Sequence, residues 1–337
     1  MTEFSTREWI LLKRPSGLLA QDDVELRQST ITDPEPGHVV VKNQFISLDP
    51  AIRDWISENK SYLPPVPLGT PIWASVVGEV VSSNSSLFSV GDKVSGLGTW
   101  AEYSLCQEYF LLGVDESLGL PLNNFLSVVG PVGMTAYYGL LDVGKPKSGE
   151  TVLVSAAAGA VGSLVGQIAR IKGCRVVGLA GSEEKCRWLT EDLGFDASIN
   201  YKQCDDYEAA IAEACPDGVD VYFDNVGGEI LDATLMNINS HARIVFCGWI
   251  SYQNALEDPL PGPWNMWQIL AKSARIEGFL IHEYFTDFHK TVPIMAEWVK
   301  SGEIQFREDI VDGLENIPQA YLKLFDGSNK GKLMVRV

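Results

Sequence analysis

A glycine-rich turn in the middle of the chain has the residue types and spacing that bind phosphate groups. In SAAAGAVGSLVG (155–166), the small residues Ala157, Gly159 and Gly162 take the glycine positions of the pattern G-x-G-x-x-G. Gly159 lets the backbone approach a pyrophosphate, Gly162 lets a helix pack closely on a strand, and the helix N-terminus offers unpaired N–H groups. We therefore predict a dinucleotide site here, against the alternative that the small residues serve only tight packing.

The end of the following strand determines which dinucleotide fits. An acidic residue there would accept the ribose hydroxyls of NAD and repel a 2′-phosphate, but GLAGSEEK (178–185) offers neutral small residues, then Ser182 and Lys185. Two unit charges about 4 Å apart at a protein surface interact by about 4 kcal/mol before desolvation is counted. Lys185 therefore predicts a preference for NADP over NAD, with a solvated surface lysine as the alternative. Glu183 and Glu184 are expected to point away from the pocket and to complement the helix dipole.

Strands and helices alternate around these two turns. Short apolar runs predict strands, and apolar residues at helical spacing predict helices between them, with Ser182 as an N-cap and Gly173 and Gly194 as helix stops. The predicted strands are 151–157, 175–180, 197–201, 218–226, 242–249 and 273–281, and the predicted helices are 160–173, 182–194, 207–215, 228–238 and, as the last helix, 285–302. This alternation predicts an α/β fold in which helices cover both faces of a parallel sheet.

The first part of the chain has a different pattern. Val, Ile and aromatic residues lie between Gly, Pro and Asn turns, which predicts strands at 38–48, 74–83 and 92–105, and a final strand is predicted at 332–337. The sequence thus indicates a β-rich part and an α/β part. The loop PLPGPW (259–264) is expected to lie close to a ligand.

Composition and charge exclude several classes of function. The chain has 337 residues and a net charge of −18, so a phosphate backbone or an acidic lipid surface would be repelled. We expect no nucleic-acid partner, no membrane partner, no signal peptide and no membrane helix, because the N-terminus lacks a basic and apolar leader and no apolar run reaches about 18 residues. The six scattered cysteines predict reduced thiols and a cytoplasmic location. No metal site is expected, although His282 and His289 are spaced to share a helix face.

Several motifs together resemble the zinc-independent medium-chain dehydrogenase/reductases, and within them the prostaglandin reductase and alkenal double-bond reductase branch. The motifs are the run from TVLVSAAAGAVG to EEKCRWL, then GFDASINYK, GVDVYFDNVGG and RIVFCGWIS, with ISLDP, GMTAYYGL and NKGKLMV towards the two ends. The resemblance covers nearly the whole chain. It implies a GroES-like β-barrel domain, residues 1–127 and 304–337, and a Rossmann domain, residues 128–303, with NADPH in the cleft between them. The first domain contains only Cys106 and His38, too few for the zinc site of the metal-dependent relatives.

Carried over residue by residue, the resemblance implies a set of NADPH-binding positions. It places the phosphates at the glycine-rich turn, the adenosine phosphate near the end of the second strand, and the nicotinamide near residues 279–281. The implied positions are Thr135, Gly159, Ala160, Val161, Gly162, Ser182, Lys185, Tyr201, Asn225, Cys247, Gly248, Ile250, Ser251, Phe279, Leu280, Ile281 and Asn329.

Two tyrosines are candidate catalytic residues. Many members of the branch have a tyrosine shortly before the RxxGF segment, whereas this chain has Ala271 there. Tyr252 in ISYQN and Tyr62 in SYLPPV are the remaining candidates to orient the substrate, and cleft lining is an equal alternative for each. Further aromatic residues suit a flat apolar substrate, with core or dimer contacts as the alternative: Trp55, Trp249, Trp264, Trp267 and Tyr284.

The resemblance implies NADPH-dependent reduction of a carbon–carbon double bond conjugated to a carbonyl. Such a reaction needs a hydride and a hydrogen-bond donor to the developing enolate oxygen, and Tyr252, Tyr62 or the nicotinamide ribose hydroxyl could be that donor. The α-carbon then takes a proton from a tyrosine or from water. We expect a small apolar α,β-unsaturated carbonyl substrate, a metal-independent reaction and a homodimer. Quinone or carbonyl reduction on the same scaffold, and non-catalytic NADPH binding, remain alternatives.

Overall fold

The computed structural model describes residues 3–58, 61–254 and 262–337, and it divides into two compact units. The first comprises Met1–Gly130 with Glu308–Val337, and the second comprises Pro131–Arg307. Part of the predicted ligand loop, residues 259–261, lies outside the described residues.

The secondary structure of the described residues follows the predicted alternation. In chain order the strands are β1 Phe4–Leu11, β2 Val24–Ile31, β3 His38–Ser47, β4 Trp73–Ser83, β5 Lys93–Thr99, β6 Tyr103–Gln107, β7 Leu111–Gly113, β8 Thr151–Val154, β9 Arg175–Ala180, β10 Ala197–Asn200, β11 Val219–Asp224, β12 Ile238–Phe246, β13 Arg275–Gly278, β14 Glu308–Asp312 and β15 Lys332–Arg336. The helices are α1 Ile52–Trp55, α2 Pro131–Tyr138, α3 Ala160–Ile171, α4 Glu183–Arg187, α5 Tyr207–Ala214, α6 Gly228–Met236, α7 Trp267–Ala271, α8 Phe288–Ser301 and α9 Ile317–Asp326.

The first unit is built on a mainly antiparallel sheet. Its strand order is β14-β15-β3-β4-β5-β7, with β6 also paired to β3, and the hairpin β1-β2 forms a separate two-stranded sheet. The last strand returns to pair with β3, where Met334 lies opposite Ser47. Buried side chains from both ends of the chain share one core, including Leu11, Ile46, Trp100, Tyr321 and Leu333. This core explains why the C-terminal segment belongs to the N-terminal unit.

The second unit contains a parallel sheet of the order β10-β9-β8-β11-β12-β13. All four residues of β8 are buried, as expected for a central strand covered on both faces. Helix α3 is amphipathic and buries Leu164, Val165 and Ile168. The strand order reverses between β8 and β11, so this is a doubly wound sheet with a topological switch point. The predicted combination of a GroES-like β domain with a Rossmann domain is confirmed.

Three predictions about individual elements are wrong. The predicted strand 92–105 is two strands, β5 and β6, because the chain turns at Trp100. The helix predicted at 285–302 is not the last, because α9 follows it and buries Ile317, Ala320 and Tyr321 on one face. His282 and His289 do not share a helix, since His282 lies in the 3₁₀ turn Ile281–Asp287 and His289 lies in α8.

None of the helices in the described ranges combines the length and the apolar composition that a bilayer crossing needs.

Candidate functional site

The carboxyl ends of the parallel strands bring most of the predicted cofactor residues to one edge of the second sheet. The turn 155–159 follows β8, Gly181 and Ser182 follow β9, and Tyr201 follows β10. On the other side of the switch point, Asn225 follows β11. The segment 247–252 follows β12, and 279–281 follows β13. This edge is where open α/β sheets bind ligands.

The turn after β8 has the shape of a phosphate cradle. Ala156 adopts a left-handed conformation with φ +47°, and its carbonyl accepts the Gly159 N–H at 2.9 Å. A Cβ on Gly159 would lie 3.0 Å from that carbonyl oxygen, and a Cβ on Gly162 would be closer still. The chain therefore enters α3 at Ala160 along a path that only small residues allow, and the first N–H groups of this twelve-residue helix lie at the turn. These features fit a dinucleotide phosphate.

Ser182 and Lys185 lie in the first turn of α4, at the end of β9. Ser182 caps the helix, as predicted, because its Oγ accepts the Lys185 N–H at 3.3 Å. The hydroxyl keeps its own proton for donation to an anion. Lys185 is half-buried, while Glu183 and Glu184 are exposed. Glu183 accepts a hydrogen bond from Asn200 at 2.9 Å, so this carboxylate lies beside the end of β10.

Tyr201 covers the end of β9. A Cβ on Gly181 would lie 2.8 Å from the Tyr201 hydroxyl, so the glycine is what lets the ring approach the backbone. Burial raises the pKa of Tyr201, which keeps the phenol neutral. The two residues together give this end of the sheet a neutral aromatic wall in place of a carboxylate.

The ends of β8, β11 and β12 are tied together at the switch point. Asn225 donates from Nδ2 to the Ser155 carbonyl at 2.8 Å, across the gap between β8 and β11. The Cys247 and Gly248 N–H groups both donate to the Asp224 carbonyl, at 2.9 and 3.0 Å. These bonds fix Asn225 and the start of the 247–252 segment relative to the phosphate turn.

Asp224 is a residue that the sequence analysis missed. It is fully buried, and burial raises its pKa. The available signal was an acidic residue that closes the run VYF (221–223) of large, mainly apolar side chains. Buried carboxylates are costly unless hydrogen-bonded, so an acid at the end of a core strand deserves a structural explanation.

Tyr252 packs on the glycine pair that opens α6. A Cβ on Gly227 would lie 3.5 Å from Tyr252 Cε2, and Gly227 and Gly228 both have positive φ angles. Ser251 holds the same segment, because its backbone N–H donates to the Val226 carbonyl at 3.2 Å. Burial, with smaller contributions from Asp232, Glu229 and Asp224, raises the pKa of Tyr252 and keeps its hydroxyl protonated.

Cys247 is a neutral thiol in this segment. Burial, and to a smaller extent the charge of Asp224, raises its pKa to about 12. A thiol with so high a pKa is a poor nucleophile at neutral pH. The residue therefore serves as lining at the strand end.

The remaining predicted site residues have contacts of their own. Thr135 is in α2, where its hydroxyl donates to the Pro131 carbonyl at 2.7 Å. Phe279 covers Gly139, since a Cβ there would lie 2.5 Å from the Phe279 ring. Asn329 and Tyr62 belong to the first unit; Asn329 donates to the Gly331 carbonyl at 3.1 Å, and the Tyr62 ring meets Trp55 edge-on at 6.3 Å.

Several of the other predicted aromatic residues have packing roles. Trp55 is buried in the core of the first unit. Tyr284 stacks on Tyr138 at a centroid distance of 4.3 Å and donates its hydroxyl to Asp142 at 2.8 Å. Trp264 and Trp267 are instead 85% and 67% exposed.

Comparison with known proteins gives matches along almost the whole chain. A family model described as the N-terminal domain of oxidoreductase matches residues 7–114, and one described as zinc-binding dehydrogenase matches residues 160–298. The second description names zinc, and residues 3–58, 61–254 and 262–337 contain no group of His, Cys, Asp or Glu side chains that could hold a metal ion.

Curated relatives and solved structures agree with these matches. The NADPH-dependent curcumin reductase of Escherichia coli is 42% identical over 98% of this chain and 96% of its own length. The NADP-dependent 2-alkenal reductase of Nicotiana tabacum is 40% identical over 99% and 98%. The crystal structure of CurA from Vibrio vulnificus in complex with NADPH superimposes with a TM-score of 0.90, at 39% identity, over 98% of this chain and 99% of that one.

Proposed function

Because this chain belongs to the zinc-independent branch of the medium-chain dehydrogenase/reductase family, we propose that it uses NADPH to reduce the double bond of α,β-unsaturated ketones and aldehydes. The observation that carries the proposal is the end of β9, where Ser182, Lys185 and Tyr201 stand where an NAD-specific sheet would carry an acid. Relatives along the full length are named as reductases of curcumin and of 2-alkenals.

NADPH is the cofactor of this family branch, and the strand ends supply the groups to hold it. In our proposal the pyrophosphate lies against Gly159, Ala160, Val161 and Gly162, where the N-terminus of α3 stabilises negative charge. Lys185, Ser182 and Tyr201 surround the adenosine 2′-phosphate. The positions proposed for the rest of the cofactor are Thr135, Asn225, Cys247, Gly248, Ile250, Ser251, Phe279, Leu280, Ile281 and Asn329.

The chemistry divides between cofactor and protein. The nicotinamide, when bound, supplies a hydride to the β-carbon of the conjugated double bond. Negative charge then develops on the carbonyl oxygen, and a preorganised hydrogen-bond donor stabilises it by a few kcal/mol. The α-carbon then takes a proton from a tyrosine or from water, which completes the saturated product. We assign this donation to Tyr252, whose raised pKa keeps its proton available, with Tyr62 as the second candidate. We propose residues 1–127 and 304–337 as the substrate and catalytic domain, and residues 128–303 as the NADPH-binding domain.

A matched substrate pair tests the reaction. The purified protein is incubated with NADPH and either a 2-alkenal or the saturated aldehyde of the same chain length, and the products are identified by NMR. We expect the saturated aldehyde from the alkenal and no alcohol from its saturated partner. Alcohol formation, or preferential reduction of a quinone in a parallel incubation, would replace the proposal with carbonyl or quinone reduction. NADPH binding without oxidation by any of these compounds would indicate a non-catalytic protein.

We also propose a homodimer, formed through the edge of the second sheet. Strand β13 is at the end of the strand order, and Trp264, Trp267 and Leu270 nearby are 85%, 67% and 68% exposed. An open edge beside large exposed apolar side chains is a hazard unless it is covered, and a second copy can cover it by symmetric edge pairing. Light scattering should give twice the chain mass, and Leu270→Asp should give the monomer; a monomeric wild type would exclude this interface.

The cytoplasm is the proposed location. All six cysteines, each in a described range, are free thiols, which is the usual state in a reducing compartment. Localisation of a tagged full-length chain tests this directly.

A further inference from the structure

Asp224 is the centre of a buried hydrogen-bond network at the switch point of the parallel sheet. Its Oδ1 accepts hydrogen bonds from Ser155 Oγ at 3.1 Å, Tyr222 OH at 2.8 Å, Val226 N at 3.0 Å and Gly227 N at 2.9 Å. One oxygen atom thus holds the end of β8 and the turn that leads from β11 into α6.

The network extends to the cofactor residues through short links. Ser155 Oγ, while donating to Asp224, accepts the Asn225 N–H at 2.9 Å, so the orientation of this hydroxyl is fixed from both sides. The Asp224 carbonyl meanwhile accepts the N–H groups of Cys247 and Gly248 at the end of β12. The Asp224 side chain therefore joins the ends of β8 and β11, and both carry positions proposed to contact NADPH. The end of β12 is held by the Asp224 backbone carbonyl, which any residue at this position would supply.

The second carboxylate oxygen behaves differently. Asp224 Oδ2 is buried and has no hydrogen-bond partner within the described part of the chain. A buried polar atom without a partner costs free energy, so Oδ2 contributes nothing to the network that Oδ1 holds together. An Asn at this position would keep the Oδ1 acceptor, and it would place an amide where the unpaired oxygen now lies.

We propose that Asp224 is a positioning residue for the cofactor: its side chain fixes the ends of β8 and β11 in the arrangement that receives the NADPH phosphates and nicotinamide. This inference rests on the proposed use of NADPH. The Asp224 carboxylate acts through Ser155 and Asn225, and it does not itself belong to the contact set.

The network provides a matched pair of variants to separate positioning from stability. Ser155→Ala removes the link from Asp224 to β8, whereas Tyr222→Phe removes a donor from the same carboxylate but leaves all three strand ends connected. Both residues are fully buried, so both variants are expected to lower the melting temperature. Only Ser155→Ala should weaken NADPH binding.

The experiment measures the dissociation constant of NADPH by the change in its fluorescence, together with the melting temperature of each variant. We expect Asp224→Ala and Ser155→Ala to raise the dissociation constant by about 10-fold or more, a free-energy change of about 1.4 kcal/mol. Asp224→Asn should stay within about 3-fold of the wild type, because it keeps the shared acceptor.

Distinct results overturn the inference. If Asp224→Ala lowers the melting temperature but binds NADPH like the wild type, or if Tyr222→Phe weakens binding as much as Ser155→Ala, the network is structural only. Should Asp224→Ala fail to fold, the Ser155→Ala and Tyr222→Phe pair decides. If the wild type does not bind NADPH, the proposed function is overturned as well. NADPH binding by the wild type is therefore measured before the variants are compared.

Discussion

Gly162 lies so close to the carbonyl group of Ala156 that a Cβ on residue 162 would stand 2.5 Å from its oxygen. The same Cβ would stand 2.8 Å from Ala157 Cα. Both contacts are with backbone atoms, which cannot move aside as a side chain could. The glycine therefore sets the distance between the phosphate turn and α3, and this distance determines where the helix N–H groups point.

Gly162→Ala should consequently lower both stability and cofactor affinity. Overpacking of this kind costs about 1–3 kcal/mol of unfolding free energy. Because the turn must shift to admit the methyl group, NADPH affinity should also fall. Urea unfolding and NADPH titration measure the two effects.

Gly113→Ala is the matched control for this variant. Gly113 is exposed in β7, and a Cβ there would meet only Phe88 at 3.9 Å, an ordinary contact. Its unfolding free energy should stay within about 0.5 kcal/mol of the wild type. If both variants lose the same unfolding free energy and the same NADPH affinity, the close contact at Gly162 does not determine either property.

Much of the second unit could be predicted because its signals are local. The strand β9 runs over 175–180 as predicted, and Ser182 and Gly194 bracket the following helical segment as cap and stop. Apolar runs, helix caps and glycine stops involve residues that are close in the sequence, so they can be recognised without knowledge of the tertiary structure.

The missed features depend on contacts that are distant in sequence. Strand β1 alternates poorly between buried and exposed residues, and it is defined by its pairing with β2, where Trp9 lies opposite Leu26. Asp224 resembles any strand-end acid until Ser155 is brought beside it by the β8–β11 pairing. Helix α9 is different, since its apolar spacing at Ile317, Ala320 and Tyr321 is a local signal that the sequence already contains.

Lys185→Ala should weaken the binding of NADPH much more than the binding of NADH. Lys185 is half-buried, so solvent screening leaves only part of the Coulomb attraction, and we expect the KM for NADPH to rise by about 10-fold, equivalent to about 1.4 kcal/mol. Steady-state kinetics with both nucleotides measure the ratio.

Arg187→Ala provides the control for Lys185. Arg187 is an exposed cation on the same helix, so its removal changes the net charge equally without altering the end of β9. Its effect on the ratio of the two KM values should be negligible. If Lys185→Ala raises the KM for NADH as much as for NADPH, the lysine does not contact a 2′-phosphate.

Stability should fall at alkaline pH because buried thiols stay neutral in the fold. Burial raises the pKa of Cys106 to about 12, whereas an exposed thiol in the unfolded chain has a pKa of about 8.5. Below about pH 8.5 both states hold the proton and the stabilising contribution is complete. As the pH rises towards about 12, the unfolded state binds fewer protons, so this contribution is progressively lost.

Cys106→Ala tests the pH effect in isolation. The variant should show a shallower decline of unfolding free energy above about pH 8.5, by up to about 1.4 kcal/mol per pH unit. The measurement is denaturant unfolding at a series of pH values. The loss of packing in the variant lowers its unfolding free energy by the same amount at every pH. If the plots of unfolding free energy against pH are parallel for the variant and the wild type, Cys106 is not the source of the alkaline decline.

Tyr252→Phe should lower kcat without weakening NADPH binding, because the hydroxyl is needed only when charge develops on the substrate oxygen. Loss of one preorganised donor typically costs about 100-fold in kcat. Since the pKa of Tyr252 is raised, the wild type should show no loss of kcat from tyrosine ionisation below about pH 10.

Tyr62→Phe is the matched comparison, because Tyr62 is the second candidate donor and its side chain is 45% exposed. If Tyr62→Phe lowers kcat more than Tyr252→Phe does, the donor belongs to the first unit. If neither variant lowers kcat by more than about 3-fold, neither of these tyrosines is the donor, and the nicotinamide ribose hydroxyl becomes the next candidate to stabilise the oxygen.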